Sequence, residues 1–320
     1  MKYCFIINPA SGKSATKEGL EQRILDVGLA RGLDVSVFVT ERAGDACDHV
    51  RDFWRANPDE DIRFYVCGGD GTLCEVVNGI MRLEDRSRVS FGVVPIGTGN
   101  DFVRNFTQKD RFFDIDAQLD ATEIEIDVMK CNDLYSVNMI NIGFDCQVVV
   151  KTDKYKRHKL VPSKMAYILG LLATIIKKPG ISVSVRKDSG EAVKKELLLT
   201  TFANGCFCGG GFKSNPNASL CDGSIDAIYI KNVSRIKFIM LVGQYKAGTH
   251  LDGSLEHIIT TDKAQSYSLE FSEPTRICID GELVVVDRAD ISCVRGALRA
   301  LVPAGCEYSG LTAAEECAVL

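Results

Sequence analysis

Ile62-Arg63-Phe64-Tyr65-Val66-Cys67-Gly68-Gly69-Asp70-Gly71-Thr72-Leu73-Cys74-Glu75-Val76-Val77-Asn78-Gly79-Ile80 is the stretch that decides the fold of this chain. Ile62–Cys67 is an apolar strand that runs into glycines. Thr72–Leu83 reads as a helix, with Val76, Val77, Ile80 and Leu83 on one face. The same unit recurs on either side. Tyr3–Ile7 is a short apolar strand, and Ser14–Arg31 carries Leu20, Ile24, Val27 and Leu29 at near-helical spacing up to Gly32. Val35–Val39 reads as a strand, and Ala43–Ala56 as a helix closed by Asn57-Pro58. Phe91–Pro95 is a further strand that ends at a Gly-rich turn. Strands that alternate with helices imply parallel βαβ units in a layered α/β domain.

The texture changes after about residue 122. Ile124–Val128, Leu134–Ile142, Ile181–Arg186, Leu197–Asn204, Ile225–Ile230, Ser266–Phe271, Arg276–Ile279 and Leu283–Val286 read as strands without long helices between most of them. This predicts a mainly antiparallel β domain, with helices at Ser163–Lys177 and Ile236–Ala247. The expected boundaries are 1–122 for the α/β domain and 123–300 for the β-rich one. Residues 301–320 are expected to pack back on the first domain. The chain of 320 residues is 46% apolar and 25% charged, which suits a globular protein and argues against disorder. A net charge of −5 excludes a protein that coats nucleic acid, so no nucleic-acid partner is expected. Thirteen cysteines include no C-x-x-C pair, which reads as small buried hydrophobes in a reducing compartment. The N-terminus does not have the pattern of a secretory signal.

Three Gly-rich turns follow apolar strands: Asn8-Pro9-Ala10-Ser11-Gly12-Lys13, Gly68-Gly69-Asp70-Gly71-Thr72 and Gly97-Thr98-Gly99-Asn100-Asp101. In a parallel sheet all three lie at one edge, where ligands bind. Glycines let backbone N–H groups approach an anion, and each following helix N-terminus favours negative charge. One such turn is explained by glycine sterics alone; three together predict a phosphate site. It is not a Walker A loop, because Ile7 stands where that motif requires its first glycine. A G-x-G-x-x-G fingerprint also fails, with Cys74 in place of the third glycine. A carboxylate at position 70, among amides that attract anions, makes electrostatic sense if it faces a cation, so Asp70 predicts a Mg²⁺–water network.

GGDGTLCEVVNG (68–79) together with PIGTGNDFVRNF (95–106) resembles the diacylglycerol kinase catalytic-domain family, which includes bacterial soluble lipid kinases and the sphingosine and ceramide kinases. NPASGK (8–13) resembles the family's first turn, and NPNASLCDGSID (215–226) and IDGE (279–282) its two later signatures. The likeness runs from Lys2 to about Val286. It implies an α/β nucleotide-binding domain like that of NAD kinases and phosphofructokinases, followed by an antiparallel β-sandwich. It also implies ATP as phosphate donor, Mg²⁺, and a lipid alcohol as acceptor, with diacylglycerol leading.

By that resemblance Asn8, Ser11, Gly12 and Lys13 contact nucleotide phosphates, with Lys13 as a cation. Gly69, Asp70, Gly71 and Thr72 cradle them. Thr40 and Thr98 match nucleotide contacts. Glu75 meets the ribose or steadies the loop. Asn100 reads a base edge with donor and acceptor, Asp101 joins the metal network, and Asp127 matches a supporting acidic position of the family. The Asp280-Gly281-Glu282 turn supplies the general base, and period-two geometry puts Asp280 and Glu282 on one side, so either fits. Asp222, with main-chain carbonyls of Ser219 and Ser224, is implied to hold a second, structural Mg²⁺.

The basic run Lys151, Lys154, Lys156, Arg157, His158, Lys159 and Lys164 precedes the apolar stretch Met165–Ile176. A cationic flank beside an apolar segment suits an anionic membrane surface; the other reading is a solvated loop before a buried helix. The stretch is too short to span a bilayer. A cytoplasmic protein with peripheral membrane association is therefore expected, with homodimerisation open. The competing readings are an NAD kinase-like phosphotransferase and an inactive nucleotide- or lipid-binding protein.

Overall fold

The computed structural model describes residues 1–12, 18–144, 146 and 180–310. Lys13, the basic run 151–164, the expected helix 163–177 and residues 311–320 lie outside them. Strands β1 (Lys2–Ile7), β2 (Val35–Val39), β3 (Ile62–Cys67) and β4 (Val89–Val94) form a parallel unit in the order β2-β1-β3-β4. Their side chains alternate between two buried faces. Cys4, Ile6, Phe64 and Val66 pack under Ala46 and Val50 of α2 (Asp45–Ala56) and Val76, Val77 and Ile80 of α3 (Asp70–Met81). Phe5, Ile7, Tyr65 and Cys67 meet Leu20 and Ile24 of α1 (Leu20–Ala30) and Ile115 and Leu119 of α4 (Ile115–Leu119). Covered faces on both sides explain strands that read as unbroken apolar runs. From β1 the chain steps to β2 on one side and then to β3 on the other, and this reversal opens a crevice at the strands' C-terminal ends.

The second half is antiparallel. It comprises β5 (Thr122–Cys131), β6 (Leu134–Ser136), β7 (Met139–Gly143), β8 (Ile181–Lys187), β9 (Ala192–Ala203), β10 (Ile225–Lys231), α5 (Arg235–Ala247), β11 (Ile259–Ala264), β12 (Ser266–Ile279) and β13 (Glu282–Val302). β7 and β8 fill the slot between β9 and β12 end to end. Phe202, Tyr267, Leu269, Ile277 and Ile291 form the core inside, with the Phe202 and Tyr267 rings 4.9 Å apart. The α/β unit and the β-rich second half are thus as expected. Cys4, Cys67, Cys74, Cys131 and Cys278 are reduced and buried, whereas Cys221 is disulfide-bonded, contrary to the expectation of thiols alone. Among the described residues no helix is long and apolar enough to cross a membrane.

Several elements differ from expectation. α1 begins at Leu20, directly after Gly19 in a left-handed conformation (φ 69°); residues 14–17 of the expected helix lie outside the described residues. Leu134–Ile142 is two strands, since the backbone of Val137 and Asn138 turns aside to bond a carboxylate. Ser266–Phe271 and Arg276–Ile279 are one strand with an irregularity between them, and β11 is a strand that the sequence does not announce.

β13 also runs far beyond Val286. Its end pairs in parallel with β4 (Arg299↔Ser90), and Leu298, Ala300 and Val302 enter the core beneath α3. The residues that follow bind the α/β unit as well. Thr107 N–H donates to the Glu307 carbonyl, the Tyr308 ring lies 5.7 Å from Phe106, and Leu220 N–H donates to the Tyr308 hydroxyl at 2.7 Å. Removing a buried acceptor leaves its donor unpaired, which costs about 1–3 kcal/mol. Tyr308→Phe should therefore lower unfolding stability by about that amount in urea titrations, with the far-UV spectrum unchanged. An unchanged midpoint would mean that the returning segment contributes packing alone.

Candidate functional site

The three glycine turns meet at the crevice. A Cβ on Gly97 would lie 2.3 Å from the Gly69 Cα, so the second and third turns touch backbone to backbone. Gly97 N–H donates to the Gly68 carbonyl at 3.0 Å. Gly12 has φ 63°, and a Cβ there would lie 1.8 Å from the Ile96 carbonyl oxygen, so the first turn abuts the third. Side chains from the neighbouring turn complete the fit. Asn8 Nδ2 donates to Thr72 Oγ1 at 2.9 Å while its Oδ1 accepts from Ala10 N–H, and Ser11 N–H donates to the Asn8 carbonyl. α3 starts at Asp70 after Gly69, so the first N–H groups of a twelve-residue helix face the crevice.

The Asp70 carboxylate faces the amides of the third turn as well as its own backbone N–H. Its Oδ1 accepts the Asp101 N–H at 2.7 Å, which ties the second turn to the third, and a Cβ on Gly99 would be 2.5 Å from its Oδ2. Burial pushes the Asp70 carboxyl above the usual range, against the backbone N–H groups of Asp101, Asn100 and Phe102. Asp101 is buried too. Burial, with the Asp70 charge adding to it, pushes its carboxyl up to about 6. Its Oδ2 accepts from Gly210 N–H at 2.8 Å; its Oδ1 makes no hydrogen bond and lies 3.3 Å from Arg104 Nε. Two adjacent buried carboxylates with an unsatisfied oxygen fit a hard cation. Among the described residues no third acidic, His or Cys ligand joins them, so such an ion would draw its other oxygens from phosphate and water.

The Asp280 turn separates its two carboxylates, contrary to the shared side expected. Ile279 pairs with Glu282, and Asp280 (φ 44°) and Gly281 (φ 97°) form the two-residue hairpin turn between them. Residues at the centre of such a turn do not follow strand alternation. Asp280 faces β6 and β7: its carboxylate accepts from Ser136 Oγ (2.8 Å) and from the N–H groups of Val137 (2.8 Å), Asn138 (3.3 Å) and Met139 (2.7 Å). Burial pushes this carboxyl up to about 6 despite those donors. Glu282 is exposed and points at the start of α3, with its Oε1 3.9 Å from where a Cβ on Gly71 would stand.

Other expected contacts are engaged elsewhere. Asn100 (φ 53°) spends its amide N–H groups on the carbonyls of Pro95 and Gly97, so the side chain holds its own turn rather than presenting a donor to a base. Thr40 is buried at the end of β2, with its hydroxyl on the Ile7 carbonyl at 3.5 Å. Glu75 accepts from Ala46 N–H at 3.3 Å and so steadies the start of α2. Thr98 is exposed on the crevice rim.

Asp127 lies away from the three turns. It is 1% exposed and accepts from Gly223 N–H (2.6 Å) and Gly296 N–H (2.8 Å). Asp222 does not fit the implied second Mg²⁺. Its Oδ2 is 2.5 Å from Lys263 Nζ, and its Oδ1 takes the Ser224 N–H at 3.0 Å; the Ser219 hydroxyl accepts from Cys221 N–H.

Sequence reasoning passed over Arg104, whose Nε and Nη2 both donate to the Gly99 carbonyl. It also passed over Gly209-Gly210-Gly211 (φ 60°, 81° and 109°), which brings the Gly210 N–H to Asp101. A fourth glycine run after a strand was the available signal.

Comparisons with known proteins agree with this layout. Residues 2–131 match the model of the diacylglycerol kinase catalytic domain, and residues 138–302 match that of the YegS C-terminal NAD kinase beta sandwich-like domain. A diacylglycerol kinase of Bacillus subtilis (strain 168) is 30% identical over 285 residues, covering 87% of this chain and 88% of its own. One from Staphylococcus carnosus (strain TM300) is 29% identical, covering 87% of each. A diacylglycerol kinase structure from Bacillus anthracis str. Sterne covers 95% of this chain and 97% of its own, with TM-score 0.69 and 22% identity, a likeness of fold.

The Asp101 shift has a definite sign. Its folded value, about 6, lies above the roughly 3.9 of an unfolded aspartate. The native state therefore holds more protons between these limits, and the residue's contribution to stability grows as pH falls through that window. In nucleotide-free protein, wild-type stability relative to Asp101→Asn should rise from pH 7 to pH 5 in urea titrations. A pH-independent difference would mean that Asp101 titrates as an ordinary carboxylate.

Proposed function

The chain belongs to the diacylglycerol kinase catalytic-domain family, and from that premise we propose that it transfers the γ-phosphoryl group of ATP to the hydroxyl of diacylglycerol, forming phosphatidic acid. Phosphotransfer to an alcohol is the chemistry of the family. The observation that carries the finer reading is Glu282: an exposed carboxylate from the β-rich half, aimed at the N-terminus of α3.

The triphosphate lodges against the N–H groups that start α3, where the helix dipole and the glycine turns attract anions. Asn8 and Thr72 keep the first and second turns in register, Ser11 and Gly12 approach the phosphates from β1, Lys13 serves as the cation that the resemblance implies, and Thr98 bounds them on the rim. Thr40, Glu75 and Asn100 act through the loops that they hold. Asp70 and Asp101 would hold Mg²⁺, which neutralises phosphate charge when bound. Glu282 takes the proton of the lipid hydroxyl as its oxygen bonds to the γ-phosphorus; the bond to the bridging oxygen breaks and ADP leaves. Asp280 is the positioning residue, because its bonds to residues 136–139 set the hairpin that carries Glu282. On this reading residues 1–122 bind the nucleotide and 123–300 the lipid. The basic run Lys151–Lys164 brings a cytoplasmic enzyme to anionic membranes.

Glu282→Gln should reduce kcat by about 10²–10⁴-fold, with little change in KM for ATP and a wild-type melting temperature. Asp280→Asn should instead lose stability, since its amide N–H groups would face four donors. Near-normal kcat for Glu282→Gln at saturating lipid would place the base elsewhere.

The acceptor is tested with labelled ATP across a panel of diacylglycerol, phosphatidylglycerol, sphingosine and NAD. Label on diacylglycerol is expected. Label on another member alone would overturn the acceptor assignment and leave the phosphotransfer.

A further inference from the structure

The Asp222 turn is built around a cation that the chain supplies itself. β10 and β11 pair antiparallel with Asp226 directly opposite Lys263, so the two side chains share a face. The Ser219–Ser224 turn feeds into β10 and brings Asp222 to the same place. Lys263 Nζ lies 2.5 Å from Asp222 Oδ2 and 3.6 Å from Asp226 Oδ2, between the two carboxylates. The Asp222 side chain is 9% exposed there, and the lysine stem reaches it from solvent at 47%. The turn is also held by Ser224 N–H to Asp222 Oδ1, Gly223 N–H to Asp127, the Asp127 N–H to the Leu220 carbonyl at 2.6 Å, Leu220 N–H to the Tyr308 hydroxyl, and the disulfide of Cys221. Asp127 in turn binds Gly296 N–H, where β13 shifts register against β5, so the turn is anchored to the strand that recrosses to the parallel sheet.

A divalent ion on Asp222 would need oxygens at about 2.1 Å. The oxygen best placed to serve it already holds an ammonium, and two cations on one carboxylate oxygen repel. We infer that the Lys263 ammonium stands in place of a divalent ion at the Asp222 turn, so that the β-rich half of this chain folds there without metal. The resemblance implies a metal at this position, and the side chains present depart from it. The inference does not rest on the acceptor or on the catalytic base.

The test uses full-length, nucleotide-free protein dialysed against EDTA, with metal content and melting temperature as readouts. Asp222→Asn serves as control for any ion at Asp70 and Asp101. Wild type should retain no divalent ion that Asp222→Asn lacks, and the two should respond alike to added Mg²⁺. Lys263→Met should melt about 2 °C or more below wild type in EDTA and recover part of that loss in Mg²⁺, while Lys263→Arg stays near wild type. A stoichiometric divalent ion in wild type that is lost in Asp222→Asn would overturn the inference. So would a Lys263→Met variant that melts like wild type in EDTA. If Lys263→Met does not fold, the wild-type metal content alone decides.

Discussion

The close approach of Gly69 and Gly97 is the contact on which the site depends. A side chain on Gly97 would overlap the Gly69 backbone, so the second and third turns can close only as glycines. Closure brings the Asp101 N–H to Asp70 and seats Gly99 on the same carboxylate. It also concentrates negative charge in a buried place, which burial and mutual repulsion register as raised carboxyl pKa values. On the proposed reading, those carboxylates stay close so that a cation can bridge protein and phosphate.

The second half of the chain reaches this site by two routes. Gly210 donates to Asp101, and the β12–β13 hairpin carries Glu282 to the start of α3. The hairpin is pinned by Asp280 through four donors on residues 136–139, and β13 continues from it along β12 and β5 before pairing with β4. The carboxylate that holds the turn and the one that faces the crevice are thus neighbours in sequence with separate tasks.

A common architecture tolerates local changes of chemistry. At the Asp222 turn the fold needs positive charge among carboxylates, and a lysine on the facing strand meets that need as a side chain rather than as a bound ion. The cross-strand register that places Lys263 opposite Asp226 follows from the β10–β11 pairing.

Much of the architecture was written in local patterns. Period-two and helical spacing predicted the α/β unit, and glycines after three apolar strands predicted turns that gather at one sheet edge. These features depend on neighbours within a few residues, which is the range over which backbone geometry acts. What each polar group does was decided by tertiary structure. The Asn100 amide, the Thr72 hydroxyl and the Glu75 carboxylate all fit a ligand contact in sequence, yet each meets a loop or helix end once the chain closes. Asp280 and Glu282 were alike until residues 136–139, far away in sequence, claimed Asp280. The long run of β13 was hidden because its second half alternates against different partners, β5 and then β4 as well. Hydrogen-bond partners from distant segments leave no periodic trace in the sequence, so only the folded chain assigns them.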